Sequence, residues 1–370
     1  MPFEKLQDLL QEPVHGRGRA DKAPKLLAAM AEVAIFHYEH CAPYRTMCDK
    51  RGFAPRDLAS LEDLPYLPTS FFKHTLLRSV PEEEVFREIT SSATTSGQPS
   101  RMALDRETSR RQSKCFNKVL IDRIGSKRFN FIVLDEPSTV GRSQVVSARA
   151  STIRSLLFCA RQVDTCVTQE GASLVLDQEK LDGLLQVAQG SGDDLMIFGF
   201  TFILYAHVVE PLLKAGKSYR LPGAKVLHIG GWKKLEAQKV TPEKLVEDCC
   251  RVFGVRPEDV VDLYGFTEQG GMLYPTCQAG RRHVPAWGEV IVRDPLTLEA
   301  LPAGREGLLE FITPIQTSYP GHAVLTEDVG LLLGEDDCPC GRPGRTFKVV
   351  GRAPNSEVRG CGDIMADKFA

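Results

Sequence analysis

The 370-residue chain has no apolar run long enough to cross a bilayer. Its longest such stretches, of the kind at 196–204, are short and interrupted by Gly and Thr, which excludes a helical span. The N-terminal segment MPFEKLQDLLQEP has charges throughout and no continuous apolar stretch, which argues against a secretory signal. No charge of either sign dominates. The formal net charge of −2 gives no sign of the basic surface that a nucleic-acid binder needs. The ordinary apolar share of 42% argues against disorder. Internal repeats and low-complexity linkers are absent, and no Gly-Lys-Ser/Thr follows a glycine-rich loop, so the chain carries no Walker A element. Cysteine is not scarce. Eleven cysteines without a signal point to a reducing, cytoplasmic setting, where thiols fill cores, bind metal or do chemistry. Cys115, Cys159, Cys166, Cys249 and Cys250 stand in apolar or helical contexts and read as small core residues.

Periodicity organises the chain. Residues 1–50 look helical, with apolar positions at helical spacing over 25–38 and Pro43 ending the pattern. A Pro-punctuated stretch, LEDLPYLPTSFFK, follows. From residue 105 helical and strand patterns alternate: helix 105–125, strand 129–134, helix 145–159, strand RQVDTCV, helix 180–190, strand 194–200, helix 203–216 and strand 224–230. A helix over 242–254, with Thr241 as N-cap, and a strand over 259–265 complete the series. Such alternation predicts βα units and a mostly parallel sheet. After residue 280, short strands separated by turns predict an antiparallel or barrel-like part. The expected organisation is a helical N-terminal portion (1–90) packing on the core, an α/β nucleotide-binding core (91–275), a strand-rich subdomain (276–352) and a short tail (353–370).

Directly after the strand-like 85–90 comes SSATTSGQPSR (91–101), rich in small hydroxyl residues. A turn of this composition lets backbone N–H groups approach anionic oxygens while hydroxyls add donors. It can equally be a surface hairpin joining VFREIT to RMAL. Three later stretches bear on the choice: DLYGFTEQGG (262–271), LTEDVG (325–330) and VVGR (349–352). In that order, the four resemble the phosphate loop, the Tyr-Gly-x-Thr-Glu motif, the second nucleotide motif and the hinge Gly-Arg of the acyl-adenylate-forming enzymes. Within these, the chain is most similar to the phenylacetate-CoA ligase branch and the acyl-protein synthetases. Its length, the CPCGR element and the tail VRGCGD favour the latter. The resemblance covers about residues 55–363 and implies an α/β fold with parallel subdomains and a smaller antiparallel part. It also implies that the family's C-terminal mobile domain is missing or vestigial, since some eighteen residues follow Arg352.

The resemblance further implies a chemistry: a carboxylic acid is activated with ATP and Mg²⁺ as an acyl-adenylate, then passed to a thiol. Ser92, Thr94, Thr95, Ser96 and Gly97 would hold the pyrophosphate end of ATP. Gly230 and Gly231, in HIGGW, would line the acyl and adenine pocket. Tyr264, followed by Gly265, would pack on adenine, and Thr267 would donate to the α-phosphate. Glu268 would help hold Mg²⁺, Asp328 would accept from the ribose, and Arg352 would lie near the nucleotide. Taken singly, Tyr264 also reads as a core aromatic, Glu268 as a solvated acid and Asp328 as a turn residue. Ala93 stands where the family usually has Gly, and Ala353-Pro354-Asn355 replaces the usual acidic residue of the hinge. No tail lysine has the family's catalytic context, so either another residue, such as Arg101 or Lys233, balances phosphate charge, or the chain works more slowly or with a partner.

Cys361 lies between glycines, two residues from Arg359, a setting that favours an exposed thiolate. By resemblance it would receive the acyl group as a thioester and deliver it to a partner enzyme, a reductase or acyltransferase. A ligase that uses CoA or a carrier-protein thiol directly is the first alternative, and a catalytically degenerate, zinc-stabilised binding subunit the second. Finally, Cys277, His283, Cys338 and Cys340 offer three thiols and one imidazole, a donor set suited to tetrahedral Zn²⁺. A strained Cys338–Cys340 disulfide, or idle thiols, would also account for that spacing.

Overall fold

The computed structural model describes residues 3–91, 99–141, 147–170, 173–232 and 239–353. The chain forms two compact units. A central unit runs from Ile124 to Tyr264, and a split unit comprises the chain up to Arg123 and again from Gly265.

The central unit is the expected parallel α/β layer. Five strands lie in the spatial order Val260–Tyr264, Lys225–Ile229, Leu195–Phe200, Phe129–Val133 and Ala160–Thr165, and all pair in parallel. Strands covered on both faces read as apolar runs instead of alternating, and every residue of Leu195–Phe200 is buried. Helices Gln178–Ser191 and Pro242–Phe253 pack apolar faces into this unit's core, which includes Leu181, Leu185, Leu245 and Phe253. Thr241 caps the second helix as expected, its Oγ accepting from Lys244 N at 3.2 Å. That helix stops at Gly254, whose φ of 65° only glycine adopts without strain. Of the five cysteines expected to be core residues, Cys115, Cys159, Cys166 and Cys249 are buried and Cys250 is half-buried.

Two features of this unit depart from the sequence patterns. The helical stretch after Phe202 opens into a π-helical segment, Ile203–Val209, before the short helix Glu210–Lys214. Pro211 has no N–H to give the carbonyl four residues back, at His207. That carbonyl accepts instead from Gln178 Nε2, at 3.0 Å. The second departure is a hairpin, Val167–Glu170 against Ser173–Leu176, where the sequence suggested one strand ending near residue 167.

The split unit carries the antiparallel part. Its strands lie in the order Arg282–His283, Arg345–Arg352, Ala323–Glu335, Gly307–Ile312 and Glu289–Arg293, with Leu67–Pro68 added in parallel to the third. The helix Arg19–His40 buries Leu26, Ala29, Met30, Val33, Ala34 and His37, a single apolar stripe of helical period. The polar-faced helix of the sequence runs Arg106–Ile124. Arg87–Thr90 pairs antiparallel with Arg101–Leu104, so the hydroxyl-rich run connects two paired strands. The residues of that run, Ser92, Thr94, Thr95, Ser96 and Gly97, lie outside the described residues, as do Lys233 and Cys361. Among the described residues no helix is long and apolar enough to cross a membrane.

Candidate active site and metal centre

After Tyr264 the chain makes a tight turn, Thr267–Gln269, and then passes Gly270 and Gly271. Gly271 has φ +87°, and a Cβ there would sit 2.5 Å from Gln112 Cα, so the close approach to helix Arg106–Ile124 requires glycine. Within the turn Glu268 is only 7% exposed. A carboxylate so buried is not the solvated acid that an isolated reading allows. Burial pushes its pKa above the ordinary carboxylate value, while Ser100, the backbone, Lys73 and Arg352 act in the opposite direction. Thr267 and Gly265, which precede it in the chain, are both half-buried.

The sheet brings two distant motifs together. Asp328 and Arg352 are direct partners across neighbouring strands, with Arg352 Nε 3.3 Å from Asp328 Oδ1. The same guanidinium lies 3.6 Å from Glu327. Arg352 also acts on the buried Glu268, where it opposes the effect of burial. Arg101, one of two cations offered by the sequence, donates to Glu88 across the hairpin at 2.9 and 3.2 Å. Lys73, which the motifs did not single out, is a second cation acting on Glu268. It closes the Pro-punctuated stretch quoted above, so position alone gave it no signal.

In the central unit, Tyr264 is half-buried at the end of its strand. Gly230 has φ +88° directly after Lys225–Ile229. Its carbonyl accepts from Thr201 Oγ1 at 2.6 Å, and His228 Nδ1 is 2.9 Å from the same hydroxyl. Gly231 is exposed. Gly230, Gly231, Thr201 and Tyr264 thus stand just beyond the carboxyl ends of parallel strands, where open α/β sheets bind ligands.

The split unit also gathers the four sulfur and nitrogen donors. One ligand atom from each of Cys277, His283, Cys338 and Cys340 lies within 4.8 Å of all the others. Cys277 Sγ and Cys338 Sγ are 3.7 Å apart, and Cys340 Sγ is 3.2 Å from His283 Nε2. Tetrahedral zinc with bonds of about 2.3 Å to sulfur requires sulfurs about 3.8 Å apart. All three cysteines are free. Two tight turns present the thiols: Gly280 N donates to Cys277 O, and Gly341 N to Cys338 O, each at 2.9 Å. Behind the site the His15 ring meets that of His283 edge-on at 5.4 Å, and Arg342 binds Asp122 at 3.1 Å.

One part of this unit had no counterpart in the sequence patterns. Residues 313–322 lack regular structure yet are buried throughout. Buried backbone must find partners, and here side chains from elsewhere supply many. Arg111 Nη1 donates to Ile315 O at 3.0 Å, His37 Nε2 to Gln316 O at 2.9 Å, and Ser318 N to Thr108 Oγ1 at 3.1 Å. Periodicity cannot register such bonds.

The fold has solved counterparts. It superposes on a 2-hydroxyisobutyryl-CoA ligase, solved with 2-HIB-AMP and CoA in the thioesterification state, with a TM-score of 0.68. That match is 17% identical and covers 92% of this chain and 70% of the other. The same ligase in its postadenylation state gives 0.66 over 90% of this chain and 68% of that one. The architecture is therefore that of the adenylate-forming ligases. Within that class the sequence is decisive: the model of the family "Acyl-protein synthetase, LuxE" matches residues 19–370, and the chain belongs to this family. Relatives include the long-chain-fatty-acid–luciferin-component ligase of Vibrio harveyi, 26% identical over 340 residues, or 90% of this chain and 85% of that protein. The protein of the same name from Aliivibrio fischeri is 25% identical over 345 residues, 91% of this chain and 86% of the other. The resemblance drawn from four short motifs thus holds over nearly the whole chain, and the protein is an acyl-protein synthetase, a ligase.

Proposed function

We propose that this ligase activates a fatty or other carboxylic acid with MgATP and transfers the acyl group to Cys361 for delivery to a partner enzyme. The observation that carries this reading is the buried Glu268 with Arg352 and Lys73 acting on it, Arg352 being held in turn by Asp328. It is a carboxylate–cation constellation built from three of the motifs that serve MgATP in this class, joined by Lys73 from outside them.

In the first step a carboxylate oxygen of the acid attacks the α-phosphorus of ATP. The new P–O bond replaces the bond to pyrophosphate, which leaves. In the second step the Cys361 thiolate attacks the acyl carbonyl, forming a thioester and releasing AMP. Ser92, Thr94, Thr95, Ser96 and Gly97 hold the departing pyrophosphate through hydroxyls and backbone N–H groups. Thr267 donates to the α-phosphate, Asp328 accepts from the ribose, and Tyr264 packs on adenine beside Gly265, Gly230 and Gly231. Glu268 supplies the hard oxygen donor that Mg²⁺ prefers. Mg²⁺ held there would neutralise phosphate charge. Cys277, His283, Cys338 and Cys340 would hold a structural Zn²⁺.

Glu268→Gln tests the first step. The substitution preserves shape and removes the charge, so acid-dependent ATP–pyrophosphate exchange should be abolished while the circular dichroism spectrum stays unchanged. Full exchange in that variant would refute the role of Glu268.

A further inference from the structure

The backbone of the Glu268 turn is clamped from behind by the buried segment 313–322. Tyr319 Oη donates to the Glu268 carbonyl at 2.9 Å. Gln316 Nε2 donates to the Gly270 carbonyl at 2.9 Å, and Gln316 Oε1 accepts from Gln112 Nε2 at 2.8 Å. Between them, Gln269 Nε2 donates to Phe311 O at 2.8 Å and to Gly321 O at 2.9 Å. The fit leaves no slack. A Cβ on Gly321 would lie 2.5 Å from the Tyr319 ring and 2.9 Å from Glu268 O.

Packing alone does not call for a tyrosine here. The ring is fully buried and meets Phe72 edge-on at 6.3 Å, a contact that phenylalanine would make equally well. The hydroxyl adds the bond to the Glu268 carbonyl, with the Gln112 side chain also beside it. Fixing that carbonyl holds the backbone that carries the Glu268 side chain, on which Lys73 and Arg352 act.

We propose that Tyr319 is a positioning residue for acyl-adenylate formation, acting through the backbone of Glu268, with Gln316 as its companion at Gly270. This rests on reading Glu268 as a carboxylate that holds Mg²⁺. A carboxylate whose backbone is loose must be ordered when the metal binds, and that ordering appears as a weaker response to Mg²⁺ and a slower reaction.

The test compares Tyr319→Phe, Gln316→Met and Glu268→Gln with the wild type, using ATP–pyrophosphate exchange with the straight-chain fatty acid that gives the fastest wild-type rate. Tyr319→Phe should lower kcat by about tenfold, the effect of one lost hydrogen bond at the reacting turn. It should also raise the Mg²⁺ concentration needed for half-maximal rate and leave KM for the acid unchanged. Gln316→Met keeps the volume, removes the donor to Gly270 and should show the same pattern, so the proposal does not hang on one variant. A wild-type rate and Mg²⁺ response in both variants, with Glu268→Gln inactive, would overturn the positioning role alone. A slower rate with an unchanged Mg²⁺ response would also overturn it, since general loosening of the fold gives that result. Full exchange by Glu268→Gln would overturn the reading beneath it.

Discussion

Acid should destabilise this fold through His37, by an amount that follows from the ring's surroundings. Its Nε2 is 2.9 Å from the Gln316 carbonyl, which only accepts, so Nε2 carries the hydrogen. Its Nδ1 is 2.7 Å from Ser79 Oγ and accepts from it in the neutral ring. The His322 ring stacks on it at 4.8 Å, and Tyr44 Oη is 2.9 Å from His322 Nε2. The neutral tautomer of His37 thus satisfies both nitrogens inside a fully buried site, and the described residues offer a charge there no acidic partner. Burial holds the ring down at about 3, from an ordinary 6.5, with the Gln316 carbonyl opposing and His40 adding to the depression. The unfolded chain takes up a proton below about 6.5 and the fold does not until about 3. Stability present above pH 6.5 is therefore lost as pH falls towards 3, at about 1.4 kcal/mol per pH unit. By pH 5 the loss attributable to His37 is about 2 kcal/mol, a large share of an ordinary domain's margin. The assay is urea unfolding between pH 7.5 and 5 for the wild type and for His37→Gln, which stays neutral throughout. The variant's stability should fall with acid less steeply, by close to one proton. Identical slopes would show that His37 is not held neutral, and the argument from burial would fail.

Other consequences are simpler to state. Cys338→Ser should remove a thiolate from the four-donor cluster; zinc by elemental analysis should drop from about one per chain and the melting temperature should fall. Wild-type protein purified without chelators but holding far less zinc than that would contradict the assignment. Gly271→Ala should destabilise the fold and slow adenylation, because its Cβ would meet Gln112 Cα at 2.5 Å with φ held at +87°; thermal melts and pyrophosphate exchange report the two effects. Thr241→Ala should cost about 1 kcal/mol in urea unfolding, with exchange kinetics unchanged, because only a helix cap is lost.

How much of this was legible in the sequence depended on which force shaped each part. Leu195–Phe200 and Lys225–Ile229 were readable because strands covered on both faces are apolar runs between turn residues. The Thr241 cap is local chemistry and was equally plain. Residue types and the family resemblance suggested the four-donor set Cys277, His283, Cys338 and Cys340, and the fold gathers these donors although Cys277 and Cys338 are far apart in the chain. Asp328 and Arg352 were each visible as a motif, but their direct pairing depends on strand register, which no single motif encodes. The hairpin Val167–Glu170 with Ser173–Leu176 escaped because Thr168, Gln169 and Glu170 are all exposed and carry no alternation. The π-helical segment needed the link between Pro211 and the His207 carbonyl, a one-residue effect that helical periodicity averages away. The segment 313–322 escaped for a deeper reason: its burial rests on bonds from Arg111, His37 and Thr108, none of them near in sequence.

The central claim is that the chain activates a carboxylic acid and loads it on its own Cys361. The most direct test is the intact mass of the protein after incubation with MgATP and a panel of carboxylic acids, without CoA. The account expects a gain of one acyl group with at least one acid, removed by hydroxylamine and absent in Cys361→Ala. A wild-type chain that releases pyrophosphate only when CoA or a carrier protein is added, and never gains mass, would contradict it. So would hydroxylamine-labile acylation that persists in Cys361→Ala.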